Sequence, residues 1–402
     1  MSGTQASVVV NGLYKIFGGD PQRALSLLGK GKGKDEIFND TGITVGVRDV
    51  SFAVDPGEVF VIMGLSGSGK STLLRMINRL IEPSLGQVLL HGQDVSKMPQ
   101  KELVRLRRRE MAMVFQSFAL MEHLKVWENA AFGLEVAGSP REQRRTRAME
   151  TLEQVGLKAY AETYPDQLSG GMRQRVGLAR ALAVEPSVML MDEAFSALDP
   201  LIRTEMQDEL IRLQKHSKRS VIFISHDLNE AMRIGDRIAI MQAGAIVQID
   251  TPKNILHNPA NDFVRSFFRG VDLTEIYLAG DIARADGAQI IDADTTDLHG
   301  LLPRLRGAEH QVGYVCAPNR RFVGMVSVPS LILAVENNAA SLDAALLETP
   351  PVTADSPLSG VIQAAAQSDH PVPVVDNDGA FRGAISQGQL LQTLDQTPNH
   401  EH

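Results

Sequence analysis

The 402-residue chain is predicted to fold as an α/β protein followed by a second, smaller C-terminal module. Short continuous apolar runs at residues 59–63, 188–191 and 221–224 are typical of parallel strands that are buried on both faces of a sheet. Charged segments that favour helices separate these runs, so strands and helices alternate along the chain. The balance of charge changes near residue 270, which indicates a boundary between two modules.

The first module, residues 1–270, opens with a predicted strand at residues 6–17. An insertion at residues 19–44 follows, with helix-favouring segments around a basic, glycine-rich loop at residues 29–34. The remaining predicted elements are strands at 45–54 and 59–63, and helices at 71–80, 101–110 and 140–155.

Composition places the chain among ordinary soluble globular proteins, with 44% hydrophobic and 22% charged residues. No apolar run reaches the roughly 18–20 residues needed to cross a bilayer. The N-terminus shows no basic region followed by an apolar segment, so no export signal is expected. The single cysteine, Cys316, excludes an internal disulfide and suits a reducing compartment. The sequence therefore predicts a cytoplasmic protein whose membrane association depends on a partner.

Charge is distributed unevenly between the two modules. Residues 271–402 contain 17 acidic residues, six arginines and no lysine, which gives a net charge of −11. The whole chain carries −8, so the first module is slightly basic. Because a negative module repels phosphate, we expect no nucleic acid partner for the C-terminal module.

A glycine-rich segment between a predicted strand and a predicted helix fits the phosphate-binding pattern G-x-x-x-x-G-K-[ST]. It consists of Gly64, Leu65, Ser66, Gly67, Ser68, Gly69, Lys70, Ser71 and Thr72. The glycines allow backbone N–H groups to curl around phosphates, and the following helix adds the positive end of its dipole. Lys70 is predicted to reach the β- and γ-phosphates of ATP, and Ser71 to bind Mg²⁺. A glycine-rich turn without a ligand is the alternative.

An acidic pair follows the apolar run at residues 188–191. Asp192 and Glu193 fall at the C-terminal end of a predicted strand, the edge where α/β sheets bind ligands. We expect Asp192 to orient Mg²⁺ and Glu193 to act as the general base for an attacking water. An isolated Asp-Glu pair after a strand is more often the acidic start of a helix, but its position downstream of the phosphate-binding pattern favours the catalytic interpretation.

A third motif, LSGGMRQR, occupies residues 168–175. With this motif the chain resembles the ABC ATPase superfamily, whose signature reads LSGGQ. Ser169, Gly170 and Gly171 match the signature, and Met172 replaces its glutamine. In this family the signature contacts the γ-phosphate bound by the partner subunit, so the resemblance implies a head-to-tail homodimer. The alternative, a capped helix without a ligand, is disfavoured by the order of the three motifs.

Further site residues follow from the same resemblance. Gln116 matches the glutamine that senses Mg²⁺ and the membrane subunit, and His226 matches the histidine that contacts the γ-phosphate. Asp199 matches the loop that crosses the dimer interface. Phe17 occupies the place of the aromatic that stacks on adenine. Tyr14 competes for that role, because the insertion separates both aromatic residues from the phosphate-binding segment.

Longer segments resemble one branch of the superfamily, the ATP-binding subunits of bacterial glycine betaine/proline betaine (quaternary amine) osmoprotectant importers. The matching segments are residues 113–121, 168–182, 191–206, 222–241 and 258–271. The resemblance implies a helical subdomain at about residues 117–168 and a peripheral location on the cytoplasmic face of the inner membrane. It also implies membrane permease subunits and, indirectly, an external substrate-binding protein as partners. An importer for another solute, such as an amino acid or a polyamine, and a soluble ABC ATPase outside transport are the alternatives.

The C-terminal module repeats a pattern of strand, turn, Phe-x-Gly, second strand and helix. The pattern occurs at residues 313–327 and again at residues 372–386. It resembles a tandem pair of CBS domains, at about residues 279–340 and 345–396, which are regulatory in this group of transporters. Many nucleotide-binding CBS pairs have an aspartate where this chain has Ser330 and Gln389. We therefore expect the pair to sense ionic strength or another ligand, with a passive dimer-stabilising domain as the alternative.

Overall fold

The computed structural model describes residues 6–115, 119–196, 198–216, 219–268, 274, 277–308 and 310–395 of the chain. The chain divides into two compact units, Met1–Phe267 and Phe268–His402. Each unit has its own sheets and its own hydrophobic core. Among the described residues, no helix is both long enough and apolar enough to cross a bilayer.

Strands and helices alternate along the first unit. Its strands are β1 (Val8–Phe17), β2 (Thr44–Val54), β3 (Val59–Met63), β4 (Leu85–Leu90), β5 (Gln93–Asp94), β6 (Met111–Val114), β7 (Val188–Asp192), β8 (Ser220–Ser225), β9 (Arg237–Gln242) and β10 (Ala245–Asp250). Its helices are α1 (Pro21–Gly29), α2 (Lys34–Thr41), α3 (Lys70–Ile77), α4 (Gln100–Glu110), α5 (Val126–Val136), α6 (Arg141–Gln154), α7 (Gly170–Ala183), α8 (Pro200–His216), α9 (Leu228–Ile234), α10 (Pro252–His257) and α11 (Asp262–Phe267). Short 3₁₀ segments at Lys158–Tyr160 and Pro165–Gln167 precede α7.

A six-stranded sheet in the order β10-β9-β3-β8-β7-β6 forms the centre of the first unit. The strands from β9 to β6 run parallel, and the edge strand β10 is antiparallel to β9. Every residue of β3, β7 and β8 is buried, which explains why these strands are continuous apolar runs in the sequence. Met63 pairs with Ser225 and Asp192 pairs with Ile224, so the carboxyl ends of three neighbouring strands meet at one edge.

A four-stranded sheet in the order β2-β1-β4-β5 shares a core with the central sheet and with helix α3. Leu73, Leu74 and Ile77 of α3 are fully buried in this core, together with Val50 of β2 and Ile62 of β3. These apolar contacts fix the helix that follows the glycine-rich segment, because removing such side chains from water is the main stabilising contribution.

The inserted segment at residues 19–44 folds into the helices α1 and α2, on either side of the predicted basic loop. A small core anchors both helices to the end of β1 and the start of β2. Its buried residues are Ile16, Ala24, Ile37, Ile43 and Val45. Lys32 in the loop forms an ion pair with Asp40 of α2. The insertion is therefore a folded extension of the antiparallel sheet.

Helices α5 and α6 lie within residues 117–168, where a helical subdomain is expected, and pack against α7. Ala130 of α5 and Val176 of α7 are fully buried. Asn129 is also buried, and its amide donates to the main-chain carbonyl oxygen of Met121 at 3.0 Å. This hydrogen bond satisfies a buried polar group and holds the loop that enters α5.

The second unit contains two sheets, in the orders β11-β12-β13-β14 and β15-β16-β17. Its strands are β11 (Gln289–Asp292), β12 (Val312–Cys316), β13 (Phe322–Ser327), β14 (Leu346–Leu347), β15 (Val352–Thr353), β16 (Val372–Val375) and β17 (Phe381–Ile385). Its helices span Ala279–Ile282, Leu298–Arg306, Val328–Glu336, Leu358–Ala366 and Gln387–Asp395, with a 3₁₀ segment at Leu342–Ala345.

The two repeats of the second unit pair with each other. Arg321 forms an antiparallel bridge with Ala380, and the rings of Tyr314 and Phe381 stack with their centroids 4.7 Å apart. The strand Leu346–Leu347 pairs with β13 of the first repeat, whereas the expected boundary near residue 345 assigns it to the second. A two-residue strand carries no periodic signal, so motif spacing alone does not place it.

Gly86 lies where β4 closely approaches β1, and Gly138 provides a comparison because it has the same φ without that contact. Gly86 in β4 and Gly138 after α5 both have a φ of +86°. A Cβ at Gly86 would lie 2.2 Å from the carbonyl oxygen of Gly12, whereas one at Gly138 would have no atom of the described residues within 4 Å. We expect Gly138→Ala to lower the free energy of unfolding by about 1–2 kcal/mol, the cost of the left-handed backbone alone.

We expect Gly86→Ala to lower the free energy of unfolding by about a further 1–3 kcal/mol, because the packed backbone must also move. Urea denaturation of the two variants measures the difference. Equal losses would show that the contact between Gly86 and Gly12 is not a constraint on the sheet.

Candidate functional site

A glycine-rich loop joins the buried strand β3 to helix α3. Gly64 has a φ of +156° and Gly69 a φ of +102°. A Cβ at Gly64 would lie 2.3 Å from the carbonyl oxygen of Met241, and one at Gly69 would lie 2.3 Å from that of Gly46. Only glycine fits at these positions, which keeps the loop backbone concave. The hydroxyl of Ser68 is buried there and has no hydrogen-bond partner among the described residues, as expected of a group that binds an anion.

Lys70 begins α3, and its side chain folds back into this loop. The residue is 5% exposed, and its ammonium donates to the carbonyl oxygens of Gly64 at 2.8 Å and Leu65 at 3.1 Å. Burial lowers the pKa of Lys70, and the negative charges of Glu193 and Asp192 oppose this shift. The ammonium is therefore held where phosphate oxygens, which are stronger acceptors, can replace the two carbonyls.

Ser71 and Asp192 place two oxygen ligands side by side. The hydroxyl of Ser71 donates to the Asp192 carboxylate at 2.8 Å, and Asp192 is 5% exposed. Within the described part of the chain, no cluster of three or more His, Cys, Asp or Glu side chains could hold a metal ion. Mg²⁺ prefers oxygen ligands and usually takes several of them from phosphate and water. The pair therefore fits a magnesium ion that is shared with a bound phosphate.

Arg75 is a site residue that the sequence reasoning missed. Its guanidinium lies 3.4 Å from the carboxylate of Asp192. Arg75 follows Ser71 by four positions, so both side chains lie on the same face of α3. That helical spacing is the signal that could have identified it.

Glu193 and His226 follow neighbouring strands of the central sheet and lie together. Nδ1 of His226 is 3.3 Å from Oε2 of Glu193. The Glu193 N–H donates to the carbonyl oxygen of Ile224 in β8 at 3.2 Å. The φ of Glu193 is +46°, which is uncommon for a residue with a side chain. Strained backbone of this kind is concentrated at functional sites, where the surrounding structure enforces it.

A cleft of about 500 Å³ lies over the glycine-rich loop. Its lining residues are Phe17, Lys34, Asp35, Phe38, Thr44, Val45, Gly46, Ser66, Gly67, Gly69, Lys70, Ser71, Thr72 and Glu193. Phe17 is 39% exposed and lines the cleft, whereas Tyr14 is not among the lining residues. Lys34, Asp35 and Phe38 come from α2 and were not predicted, because no local pattern places the insertion beside the loop.

The signature residues lie at the start of α7. The side chain of Ser169 accepts a hydrogen bond from the Met172 N–H at 3.3 Å and caps the helix. A Cβ at Gly171 would lie 2.5 Å from Cγ2 of Ile202, so this turn packs closely against α8. Ser169, Gly170 and Gly171 do not line the cleft over the glycine-rich loop.

Of the two remaining predicted site residues, Asp199 is described by the structure and Gln116 is not. The carboxylate of Asp199 accepts a hydrogen bond from the Ile202 N–H at 3.1 Å, so it caps the start of α8. Gln116, predicted as a magnesium and permease sensor, lies outside the described residues.

The second unit has a cleft of its own, of about 800 Å³, lined by residues of both repeats. Two positions that hold aspartate in many nucleotide-binding repeats cap helices instead. The Ser330 hydroxyl accepts from the Ser327 N–H at 3.0 Å, and Oε1 of Gln389 accepts from the Ser386 N–H at 2.7 Å. Neither residue offers a carboxylate to a ribose.

Comparison with known proteins extends these observations. Residues 47–196 match the family described as ABC transporter. The glycine betaine/proline betaine transport system ATP-binding protein ProV of Escherichia coli is 54% identical over 392 residues, which cover 96% of this chain and 97% of that protein. The trimethylamine N-oxide transport system ATP-binding protein TmoW of Ruegeria pomeroyi is 50% identical over 273 residues, which cover 68% of this chain and 80% of that protein.

A solved structure shares the fold. The dimeric post-hydrolysis state of the ATP-binding cassette MJ0796, bound to ADP and Pi, superimposes with a TM-score of 0.52 and 30% identity, over 61% of this chain and 98% of that chain. The predicted α/β fold of an ATP-binding cassette is thereby confirmed, as is the resemblance inferred from the sequence motifs. Because a relative 54% identical spans almost the whole length, the chain belongs to the family of ABC transporter ATPases that includes the transport ATP-binding protein ProV.

Proposed function

We propose that the chain hydrolyses MgATP to energise the uptake of glycine betaine and proline betaine through a membrane permease. The observation that carries this proposal is the extent of the similarity to ProV, which covers 96% of the chain and therefore reaches both units. The match to the trimethylamine N-oxide protein covers 68% of the chain, so similarity along the whole chain favours the betaines.

The triphosphate of ATP is proposed to bind in the cleft over the glycine-rich loop. Residues of the loop and of the start of α3 line this cleft, where backbone N–H groups at a helix start would bind phosphate oxygens, and Lys70 would bind the β- and γ-phosphates. Ser71 and Asp192 would hold Mg²⁺, with Gln116 as a further ligand. When bound there, Mg²⁺ would supply positive charge that offsets the negative charge of the β- and γ-phosphates. Phe17 would stack on the adenine.

Glu193 is proposed as the general base that takes a proton from the attacking water. The imidazole of His226, 3.3 Å from the Glu193 carboxylate, orients that carboxylate and would contact the γ-phosphate. The strained backbone of Glu193 supports the assignment, because it aims the side chain from the end of β7 into the cleft.

Two copies of the chain are proposed to form head-to-tail sites. Ser169, Gly170 and Gly171 do not line the cleft of their own chain, which agrees with a role against the nucleotide of a partner copy. Asp199, at the start of α8, would belong to the same interface. The MJ0796 cassette is a dimer in its solved structure. We propose that the dimer docks on permease subunits at the cytoplasmic face of the membrane, with an external substrate-binding protein delivering the solute.

The substrate and the base are tested together in lipid, with the permease and the substrate-binding protein present. We expect glycine betaine to stimulate ATP hydrolysis and Glu193→Gln to reduce it at least about 100-fold, because general base catalysis is lost. Glu150→Gln is the matched control, since Glu150 is an exposed residue paired with Arg147. Phosphate release measures both effects.

Stimulation by another solute and not by a betaine would keep the ATPase and overturn the proposed substrate. Full activity in Glu193→Gln would overturn the assignment of the base. Hydrolysis that does not depend on the permease would favour an ABC ATPase outside transport.

A comparison of two helix-capping residues distinguishes a catalytic role of the signature serine from its contribution to stability. Ser169 caps α7, and Thr251 caps α10 by accepting from the Asn254 N–H at 3.4 Å. We expect Ser169→Ala and Thr251→Ala each to lower the free energy of unfolding by about 1 kcal/mol. Only Ser169→Ala should abolish ATP hydrolysis, because only Ser169 faces the nucleotide of the partner copy. Urea denaturation and phosphate release measure the two effects, and equal activity in the two variants would contradict the signature assignment.

The second unit is proposed to be a tandem CBS pair that regulates the ATPase in response to ionic strength. Residues 271–402 carry a net charge of −11, and these negative charges repel one another. Salt at physiological concentration screens this repulsion beyond about 8 Å, so its strength depends on ionic strength. The helix-capping roles of Ser330 and Gln389 support a signal other than an adenosine nucleotide.

Deleting residues 271–402 is expected to leave basal ATP hydrolysis in place and to change its dependence on salt. The ATP-site residues all lie in the first unit, so the chemistry should persist. Hydrolysis measured from low to high potassium chloride, with and without the second unit, tests the proposal. An unchanged salt dependence would contradict the sensor role and favour a passive, dimer-stabilising domain.

A further inference from the structure

The inserted helix α2 forms one wall of the cleft over the glycine-rich loop. Lys34, Asp35 and Phe38 line this cleft together with Phe17 of β1. Lys34 precedes Phe38 by four positions and Asp35 precedes it by three, so the three side chains share one face of the helix. The motifs of the ATP site lie elsewhere in the chain and do not account for this wall.

The position of α2 is well defined by its surroundings. Ile37 is fully buried in the small core that joins the insertion to β1 and β2, whereas the adjacent Phe38 is 54% exposed. At the start of the helix the Gly33 N–H donates to the Glu36 carboxylate at 2.8 Å. At its end the Gly42 N–H donates to the carbonyl oxygen of Phe38 at 2.7 Å. Core packing and both helix ends therefore hold Phe38 at the cleft.

The ring of Phe17 is also held in place. A Cβ at Gly46 would lie 2.9 Å from Cε2 of Phe17, so the ring packs directly on this glycine. The carbonyl oxygen of Gly46 in turn packs on Gly69 of the phosphate-binding loop. Gly46 therefore contacts both the ring of Phe17 and the glycine-rich loop, which places Phe17 beside that loop.

We propose that Phe38 is a second adenine-stacking residue, so that the base of ATP lies between the rings of Phe17 and Phe38. This inference rests on the proposed function of the cleft as the ATP site. Two aromatic residues, 39% and 54% exposed, line one concave site, and a planar base is a ligand that can cover both. Lys34 and Asp35 add a donor and an acceptor for the polar edge of the base or for the ribose hydroxyls.

Calorimetric titration of the full-length chain with ATP and with inorganic tripolyphosphate tests the proposal. The second ligand has the phosphates but no base. Phe38→Ala is expected to weaken ATP binding about ten-fold, as for loss of a stacked aromatic, and to leave tripolyphosphate binding unchanged. Phe38→Trp keeps an aromatic face and is expected to bind ATP within about two-fold of the unaltered chain.

Tyr160→Ala is the matched control, because Tyr160 is an aromatic residue that is 44% exposed and does not line the cleft. It should leave the affinity for both ligands unchanged. Phe38 is more than half exposed, so its replacement is expected to fold, and urea denaturation checks this.

Unchanged ATP affinity in Phe38→Ala, with ATP binding weakened in Phe17→Ala, would overturn the second stacking residue. Equal losses for ATP and tripolyphosphate would also overturn it, because they would show that α2 acts only through the phosphate-binding loop. Failure of the unaltered chain to bind either ligand would instead overturn the proposed ATP site.

Discussion

The parallel register of β3, β8 and β7 is the constraint on which the rest of the site depends. Met63 pairs with Ser225, and Asp192 pairs with Ile224, so three strands end at one level. The glycine-rich loop follows β3 directly and His226 follows β8 directly, whereas the acidic pair begins with Asp192, the last residue of β7. A slip of one residue would move every side chain of such a fully buried strand to the opposite face, and the closely packed cores on both sides of the sheet oppose that repacking. The packing of the buried strands thereby determines the positions of the polar site residues at the strand ends.

Charge is concentrated at this edge at a cost to stability. The ammonium of Lys70 is buried beside two carboxylates, and burial lowers its pKa. The hydrogen bonds of Lys70 to Gly64 and Leu65 use neutral carbonyl oxygens, which bind a cation less strongly than phosphate does. The left-handed backbone of Glu193 adds strain at the same place. Binding an anion beside the buried ammonium of Lys70 is therefore expected to stabilise this region more than it would stabilise a loop without a buried charge.

Much of this site could be predicted from the sequence because its parts are local. Gly64, Lys70 and Ser71 lie within one strand–loop–helix segment, and their spacing alone indicates phosphate binding. The continuous apolar runs likewise identified the buried strands. The contact between Glu193 and His226 depends on strand order, which no local pattern specifies. The resemblance to a known family assigned His226 to the site but did not predict this contact. In the second unit strand β14 pairs with the first repeat rather than the second, because a strand of two residues carries no periodic signal that a sequence pattern can detect.

The buried face of helix α2 in the insertion could not be predicted from the sequence. Ile37 and Phe38 are adjacent apolar residues in a helix of eight residues, which is too short for periodicity to define its buried face. Contacts with the ends of β1 and β2 decide the matter, since they bury Ile37 and leave Phe38 at the cleft. A single exposed apolar residue needs no explanation. Two aromatic residues that line one cleft over the glycine-rich loop are a different observation, because core packing accounts for the position of α2 but not for the residues on its exposed face.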